Sequence, residues 1–480
     1  MMTFDKSKFL NVLMAVTSLT MIFAHRVYSQ DKRPNILVFI ADDWGYPNAG
    51  IYGDKVVQTP NFDKVAKQGV LFTNAFTTPS CSPSRASLLT GRWPHQLEEG
   101  VHLMGFLPNK FPNYVTLLAD QGYAVGRYKK GWAPGQYKLG GYMDNPAGPA
   151  YPDFETFFKH KSKDQPFCFW FGSHDPHRPY EQGSGLKSGK SIDDVAVPAF
   201  LPDHPTVRSD LLDYYYEIER FDREIGHILA ILDAAGELDN TLIVITGDNG
   251  MPFPRAKANL YDAGTHVPLA MSWPAGIKPG QICEAFVNYI DLAPTFLAAV
   301  GTDVPNAMTG SNLIPLLDGT EGHEKRNKMF MERERHARVR KGNVGYPARG
   351  IRTENFLYIR NFRPDRWPAG DPEFGNIYFG DVDKSPTKEY IITYRDNPEV
   401  TPFFERGFMK RPPEELYDLS IDPEQLVNVA GHKEYMAVLK QLRRQLKQWM
   451  QDTDDPRLNN KGDLLEEYPY TSSSYKPSAK

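Results

Sequence analysis

Three cysteines in 480 residues, Cys81, Cys168 and Cys283, are too few to staple a chain of this length, so disulfides do not organise the fold. Nor is there an excess of positive charge. The formal net charge of −4 offers no global field for a nucleic-acid backbone and confines anion binding to local clusters. Long apolar runs are equally scarce. The run from Phe9 to Ala24 is short for a bilayer span; Lys6 and Lys8 precede it, and Val27 and Ser29 follow at the positions a signal peptidase reads before Gln30. Residues 1–29 are therefore expected to be a removable signal, giving an exported protein, periplasmic or secreted, with no stable membrane span. Its loss removes Lys6, Lys8 and Arg26 against Asp5 and leaves the mature chain more negative still. With 41% apolar and 24% charged residues, the remainder suits a packed globular chain of two or three domains.

Short, near-continuously apolar runs over 35–40, 123–128, 167–172, 241–246 and 268–273 read as parallel strands covered on both faces. Between them, 60–68 opens with Pro60 after Thr59 and stops at Gly69, and 113–121 stops at Gly122, both helical patterns. A longer pattern over 210–235 lays Leu211, Tyr215, Ile218, Phe221, Ile225, Ile228 and Leu232 on one stripe. Together these predict an α/β, doubly wound, mostly parallel sheet. Near 341–347 a basic stretch gives way to Gly342, Gly345 and Pro347. Beyond it, alternating strands over 351–360 and an amphipathic helix over 435–450 predict a smaller α+β unit. The expected division is 1–29 signal, 30–345 α/β domain and 346–480 α+β domain with a polar tail.

Open parallel sheets collect ligands at the carboxyl ends of their strands. Here the first run empties into Asp42-Asp43, the third into Ser173-His174-Asp175-Pro176-His177 and the fourth into Asp248-Asn249-Gly250. Either acidic pair alone reads as a turn. At equivalent strand ends, three carboxylates and an amide oxygen describe a hard-cation site of the Ca²⁺ or Mg²⁺ type. Cys81-Ser82-Pro83-Ser84-Arg85 opens a helix that Gly91 stops, so Cys81 sits at a helix N-terminus, which favours an anion, with Arg85 one turn on along the same face. Cys168, within an apolar run, reads as a core thiol.

CSPSRASLLTGR resembles the signature of the type I sulfatases, in which the cysteine of C-x-P-x-R is oxidised to formylglycine. PNILVFIADDWG, TPNFDKVAKQGVLFTNAFTTPS, ITGDNG and ELYDLSIDPEQLVNVA resemble further sulfatase segments in sulfatase order. FGSHDPHRPY and DNGMPFPRAKANLYDAGTHVP are most similar to the heparan N-sulfatase (sulfamidase) group. The resemblance implies an alkaline phosphatase-like fold, a large mostly parallel sheet flanked by helices with a smaller C-terminal α+β domain. It implies Ca²⁺ held by Asp42, Asp43, Asp248 and Asn249 together with residue 81. Arg85 would hold the hydrated formylglycine, Lys130 and Lys257 would bind sulfate oxygens, and His174 would protonate the leaving oxygen or nitrogen. One hydroxyl of the hydrated aldehyde would attack sulfur and the other would later expel the sulfate. Where the family often has G-K-x-H, this chain reads Lys129-Lys130-Gly131-Trp132, which leaves the base for that expulsion open between His102 and His177.

The implied activity is removal of sulfate from a saccharide, either N-sulfoglucosamine of the heparan type or an O-sulfated algal polysaccharide fragment such as ulvan. Implied partners are that sulfated saccharide and a formylglycine-generating or anaerobic sulfatase-maturing enzyme. His102, His336, Arg349 and Arg363, with Arg352, Arg360 and Arg366 nearby, are candidates for binding sulfates or carboxylates of the sugar, or equally form a solvated basic face. Trp132 or Trp367 could stack on a ring or simply pack. Two other readings stand beside this one: a phosphoester or phosphonate hydrolase on the same scaffold, and a non-catalytic sulfated-glycan-binding protein.

Overall fold

Alternation along one central strand divides the interior in two. In the computed structural model, which describes residues 33–458 and 462–471, β1 (Asn35–Ala41) is buried along its whole length. Leu37, Phe39 and Ala41 face one core and Ile36, Val38 and Ile40 the other. Six further strands complete the sheet: β2 (Val70–Phe72), β3 (Ala124–Lys129), β4 (Phe167–Gly172), β5 (Thr241–Gly247), β6 (Leu269–Ser272) and β7 (Gln281–Cys283). Their order is β3-β4-β1-β5-β6-β2-β7. The first four in that order run parallel, as the uninterrupted apolar runs require. β6 departs from the parallel expectation and pairs antiparallel with both neighbours. Between β5 and β6 the chain offers only a loop and the four-residue helix Asp262–Thr265, with no crossover helix to carry it back for a parallel return.

Helices cover both faces. α1 (Cys81–Thr90) lies on one side, where Ala86, Leu88 and Leu89 join the core containing Val38 and Cys168. α2 (Pro205–Ala234) lies on the other, and its apolar stripe packs on Phe39 and Phe171, with Phe171 and Phe221 stacked at 6.0 Å. A side chain buried this completely contributes on the order of 1.5–3 kcal/mol, so Phe221→Ala would be costly. His204 caps α2 by accepting from the Thr206 N–H, which starts the helix several residues before the periodicity suggests. No helix among the described residues is long and apolar enough to cross a membrane. The expected signal over 1–29 lies outside the described residues.

The later part of the chain forms an antiparallel meander of β8 (Lys328–Arg333), β9 (Ala348–Thr353), β10 (Phe356–Asn361) and β11 (Glu414–Asp418). The expected boundary at 345/346 falls between β8 and β9, so the sheet begins earlier than the composition shift implies. Each face of the meander is covered. Leu439, Leu442, Leu446 and Trp449 of α4 (Met436–Asp452), which follows α3 (Pro386–Thr393), close one side. Leu260, Tyr261 and Phe286 pack on Leu357 and Ile359 from the other, and the described residues from Pro34 onward form one compact unit.

Arg349, expected as a substrate residue, is instead fully buried in β9. It pairs with Asp455, with Glu334 at 2.9 Å and with Glu332 at 3.5 Å, and Arg457 closes on Glu334 in turn. A guanidinium with these partners and no exposure cannot reach a sugar. Arg349→Ala leaves buried carboxylates without their counter-ion, so chemical denaturation should show a loss of about 3–5 kcal/mol. An unaltered unfolding midpoint with a raised KM would return Arg349 to substrate binding.

Candidate active site

β1 and β5 are adjacent and parallel, with Ala41 in register against Gly247, so the acidic pairs that follow them emerge side by side. Asp43 takes a left-handed backbone, φ 74°, which costs a non-glycine residue roughly 1–2 kcal/mol. Its surroundings hold it there. The Asp43 N–H donates to Asp248 Oδ1 at 3.0 Å, the Tyr214 hydroxyl donates to the Asp43 carbonyl at 3.1 Å, and the Asn249 amide donates to Asp43 Oδ1 at 2.6 Å. The turn after Asn249 requires glycine, since a Cβ at Gly250 would stand 2.0 Å from the Ala263 carbonyl oxygen.

Helix α1 brings residue 81 to this edge. The Cys81 thiol donates to Asp42 Oδ1 at 3.3 Å and lies 3.5 Å from Asn249 Oδ1. Asp42, Asp43, Asp248 and Cys81 each offer one ligand atom, all within 4.8 Å of one another. Apart from the sulfur, the donors are buried oxygens, a set suited to a hard divalent cation. Arg85, also buried, anchors α1: Nε donates to Asp248 Oδ2 at 2.8 Å and Nη1 to the carbonyls of Lys130 and Gly131 at 3.0 Å each. Below the helix, the Trp132 indole donates to the Ser82 carbonyl at 3.1 Å. With 1% of its surface exposed, Trp132 is packing and not a sugar platform.

Two lysines close the site. Lys130 Nζ sits 2.6 Å from Asp42 Oδ2, and Lys257 Nζ sits 2.6 Å from both Asp43 oxygens. Lys129 turns the other way, pairing with Glu224 over the rings of Tyr128 and Phe171. Gly172 makes room for the Lys130 backbone, because a Cβ there would meet the Lys130 carbonyl at 1.7 Å. Burial alone would raise the pKa of Asp42, but Lys130, with His177 and Arg85 behind it, brings it down to about 2. Burial, then Asp248, pushes the Cys81 thiol well above its ordinary value. His174 is exposed at the end of β4, and burial of part of its ring, opposed by Asp42 and aided by Lys130, lowers its pKa. His177 Nε2 lies 3.9 Å from Asp43 Oδ2.

The sulfatase family model matches residues 34–302, and the model for the C-terminal part of N-sulphoglucosamine sulphohydrolase matches 255–383. The chain belongs to the sulfatase family. Human N-sulphoglucosamine sulphohydrolase is 31% identical to this sulfatase, over 90% of the chain and 93% of the human protein. An ulvan-active sulfatase of Formosa agariphila is 29% identical, over 88% and 81% respectively. A solved structure of a protein in complex with its substrate, D-glucosamine-2-N,6-O-disulfate, superposes with a TM-score of 0.64 at 20% identity, covering 88% of this chain and 99% of the other. The fold is thus the alkaline phosphatase-like one of the sulfatases, and the enzyme is a hydrolase of sulfate esters or sulfamates.

The remaining candidates fall elsewhere in this sulfatase. His102 is buried, accepting from the Arg335 N–H at 3.3 Å through Nδ1 while Nε2 donates to the Leu465 carbonyl, so it neither binds substrate nor serves as a base. His336 is buried behind α1, its Nδ1 2.8 Å from Ser80 Oγ, bracing the helix start. Arg363 is half-exposed beside Asp365, Arg352 is paired with Asp262 and Arg366 with Glu466. Arg360 lies over Phe362, and Trp367 packs against Phe379. One group escaped the sequence reading: Asp383, whose Oδ2 stands 3.7 Å from Lys257 Nζ. It follows no apolar run and matches no spacing, so nothing in the sequence marks it.

His102 also carries a pH signature. Burial, then Arg335, lowers its pKa to about 3, whereas an unfolded histidine titrates near ~6.5. The neutral ring stabilises the fold fully above that unfolded value, and as pH falls below it the unfolded chain binds the extra proton. Stability should therefore drop by about 1.4 kcal/mol per pH unit on this account, and His102→Gln should show a correspondingly shallower decline in denaturation midpoint between pH 6.5 and 5.

Proposed function

We propose that this sulfatase is an exported enzyme that removes the sulfate of N-sulfated glucosamine at the end of a heparan-type saccharide, with O-sulfated oligosaccharides of the ulvan type as the second substrate class. It would do so with a formylglycine at residue 81 and a Ca²⁺ ion. The observation that carries this reading is Cys81 Sγ set among Asp42 and Asn249 oxygens at a helix N-terminus, flanked by Lys130 and Lys257. Likeness to the human N-sulphoglucosamine enzyme across nearly the whole chain favours the sulfamate, and likeness to the Formosa enzyme favours the algal alternative.

The donor set fits Ca²⁺, which Asp42, Asp43, Asp248 and Asn249 would hold and which would supply Lewis acidity toward a sulfate oxygen. Formylglycine would supply an oxygen nucleophile that frees itself without a second attack at sulfur. As a thiol, residue 81 is a poor nucleophile here, because burial and Asp248 keep it protonated. Arg85 fixes residue 81 through its bond to Asp248 and its hold on the 130–131 backbone. Lys130 and Lys257, kept charged by Asp42 and Asp43 despite burial, place fixed positive charge where negative charge grows on departing sulfate. His174, at the open end of β4, would donate the proton to the leaving nitrogen or oxygen, and His177, 3.9 Å from Asp43, would be the group that takes up a proton in the later expulsion of sulfate. Cys81 is 2% exposed, so a maturing enzyme must act before the chain folds.

Desulfation of defined heparin-derived and algal oligosaccharides, followed by release of sulfate, tests the substrate class; turnover of neither overturns it. Mass spectrometry of the peptide holding residue 81 should show the aldehyde in active enzyme, and fully active protein with only cysteine there would refute the nucleophile. Chelation with EGTA should abolish turnover and Ca²⁺ should restore it, while activity indifferent to both would remove the metal from the scheme. His174→Ala should slow saccharide desulfation by roughly 100-fold or more, yet barely affect an activated aryl sulfate whose leaving group needs no proton. Equal losses would move the acid to another residue.

A further inference from the structure

Asp383 belongs to a segment that is locked at nearly every other position. Asp381 accepts from Arg333 at 2.7 Å, from Arg340 at 2.6 Å and from the Ala337 N–H at 3.0 Å. Lys388 of α3 donates to the carbonyls of Phe379 at 3.1 Å and Val382 at 2.6 Å, and Ser385 caps α3 by accepting from the Lys388 N–H. The position of residue 383 is therefore set by its neighbours. Its carboxylate points toward the reaction centre, with ligand atoms of Asp383, Asp43 and His177 within 4.8 Å of one another.

The carboxylate itself is left incomplete. Oδ2 is buried and has no hydrogen-bond donor. Lys257 makes its two short contacts to Asp43, which leaves Asp383 Oδ2 at 3.7 Å, beyond hydrogen-bond length. Burial works to raise the pKa of Asp383, but Lys257, followed by His177 and His336, more than offsets it, so the group stays an anion and an acceptor. The Asp383 side chain keeps 32% of its surface exposed, so the carboxylate opens onto the site, and an anionic oxygen there without a protein donor leaves that place to a donor on the ligand. Sulfate cannot provide it, because at neutral pH its oxygens only accept. Sugar hydroxyls and the N–H of a sulfamate can.

Resting on the saccharide reading above, we propose that Asp383 is a specificity-determining residue whose carboxylate accepts a hydrogen bond from a hydroxyl or N–H that the sugar carries beside the scissile sulfate. The positively charged half of the site then binds what all sulfates share, and Asp383 reads what distinguishes a saccharide sulfate from a bare one.

The test compares matured wild-type enzyme, Asp383→Asn and Asp383→Ala on methyl N-sulfoglucosaminide, its 3-deoxy and 4-deoxy analogues, and 4-nitrophenyl sulfate. Loss of a hydrogen bond to a charged acceptor predicts that Asp383→Ala lowers kcat/KM on the glycoside by roughly 10- to 100-fold while aryl sulfate turnover changes by less than about threefold. The deoxy analogue on which wild type and variant become equal identifies the hydroxyl as donor; equality on neither identifies the N–H. Should Asp383→Ala fold poorly, the near-isosteric Asp383→Asn, which keeps one acceptor oxygen, should show the same selectivity with a smaller loss. Equal losses on glycoside and aryl sulfate overturn the proposal and make Asp383 a support for Lys257. No loss on either removes it from the site. Wild-type enzyme that cleaves the aryl sulfate but neither the glycoside nor an O-sulfated ulvan oligosaccharide overturns the saccharide reading, and Asp383 recognition with it, whereas turnover of either saccharide with no selective loss overturns only Asp383.

Discussion

Three carboxylates are held together in the interior of this protein, and everything around them answers that repulsion. Asp42, Asp43 and Asp248 are each no more than 2% exposed, and buried like charges at such separations are tolerated only when opposite charges or a metal share the site. Arg85, Lys130 and Lys257 supply the opposite charge, one to each acid. The same pairings keep these cations at the sheet edge, so the groups that make the acids tolerable are those that, in the proposed reading, would give the edge its affinity for an oxyanion.

Holding that cluster draws on segments far apart in the chain. Arg85 arrives on α1, whose first turn rests on Trp132 from one side and on His336, through Ser80, from the other. Lys257 comes from the loop that turns back into β6, and the antiparallel run of β6 is what returns that loop to the sheet edge. The meander adds its own buried ions: Arg349 with Asp455 and Glu334, and Arg333 and Arg340 with Asp381. These pairs contribute little net stability over an apolar replacement, but removing one partner strands the other, which makes the arrangement intolerant of single changes.

In the proposed reading, aryl and saccharide sulfates would present the same three oxygens to Lys130 and Lys257, so discrimination would come from groups outside that half of the site. On that reading His174 at the open end of β4 would answer the chemistry of the leaving atom, and Asp383 the donors around it. One would govern how fast the bond breaks and the other which molecule is held, a division that follows from a proton donor and a hydrogen-bond acceptor lying on different segments.

The strands and the acidic pairs were legible in the sequence because a covered parallel strand must be apolar throughout and because ligand residues follow directly at its end. Cys81 and Arg85 were legible for a local reason, a helix start and one turn of spacing. The spacing to Gly131 favours Lys130 over Lys129, and the left-handed backbone of Lys129 is what sends the two side chains to opposite sides. The basic residues of 349–366 look alike in sequence, yet Arg349 is a buried clamp and Arg363 a half-exposed surface group, since ion pairing depends on partners such as Asp455 that lie a hundred residues away. Asp383 had no local mark at all. Periodicity and spacing therefore marked the parallel strands, the helix start at Cys81 and the acidic strand ends, whereas the antiparallel run of β6 and which charges are satisfied internally were decided only by tertiary structure, because these depend on long-range pairing that no single segment encodes.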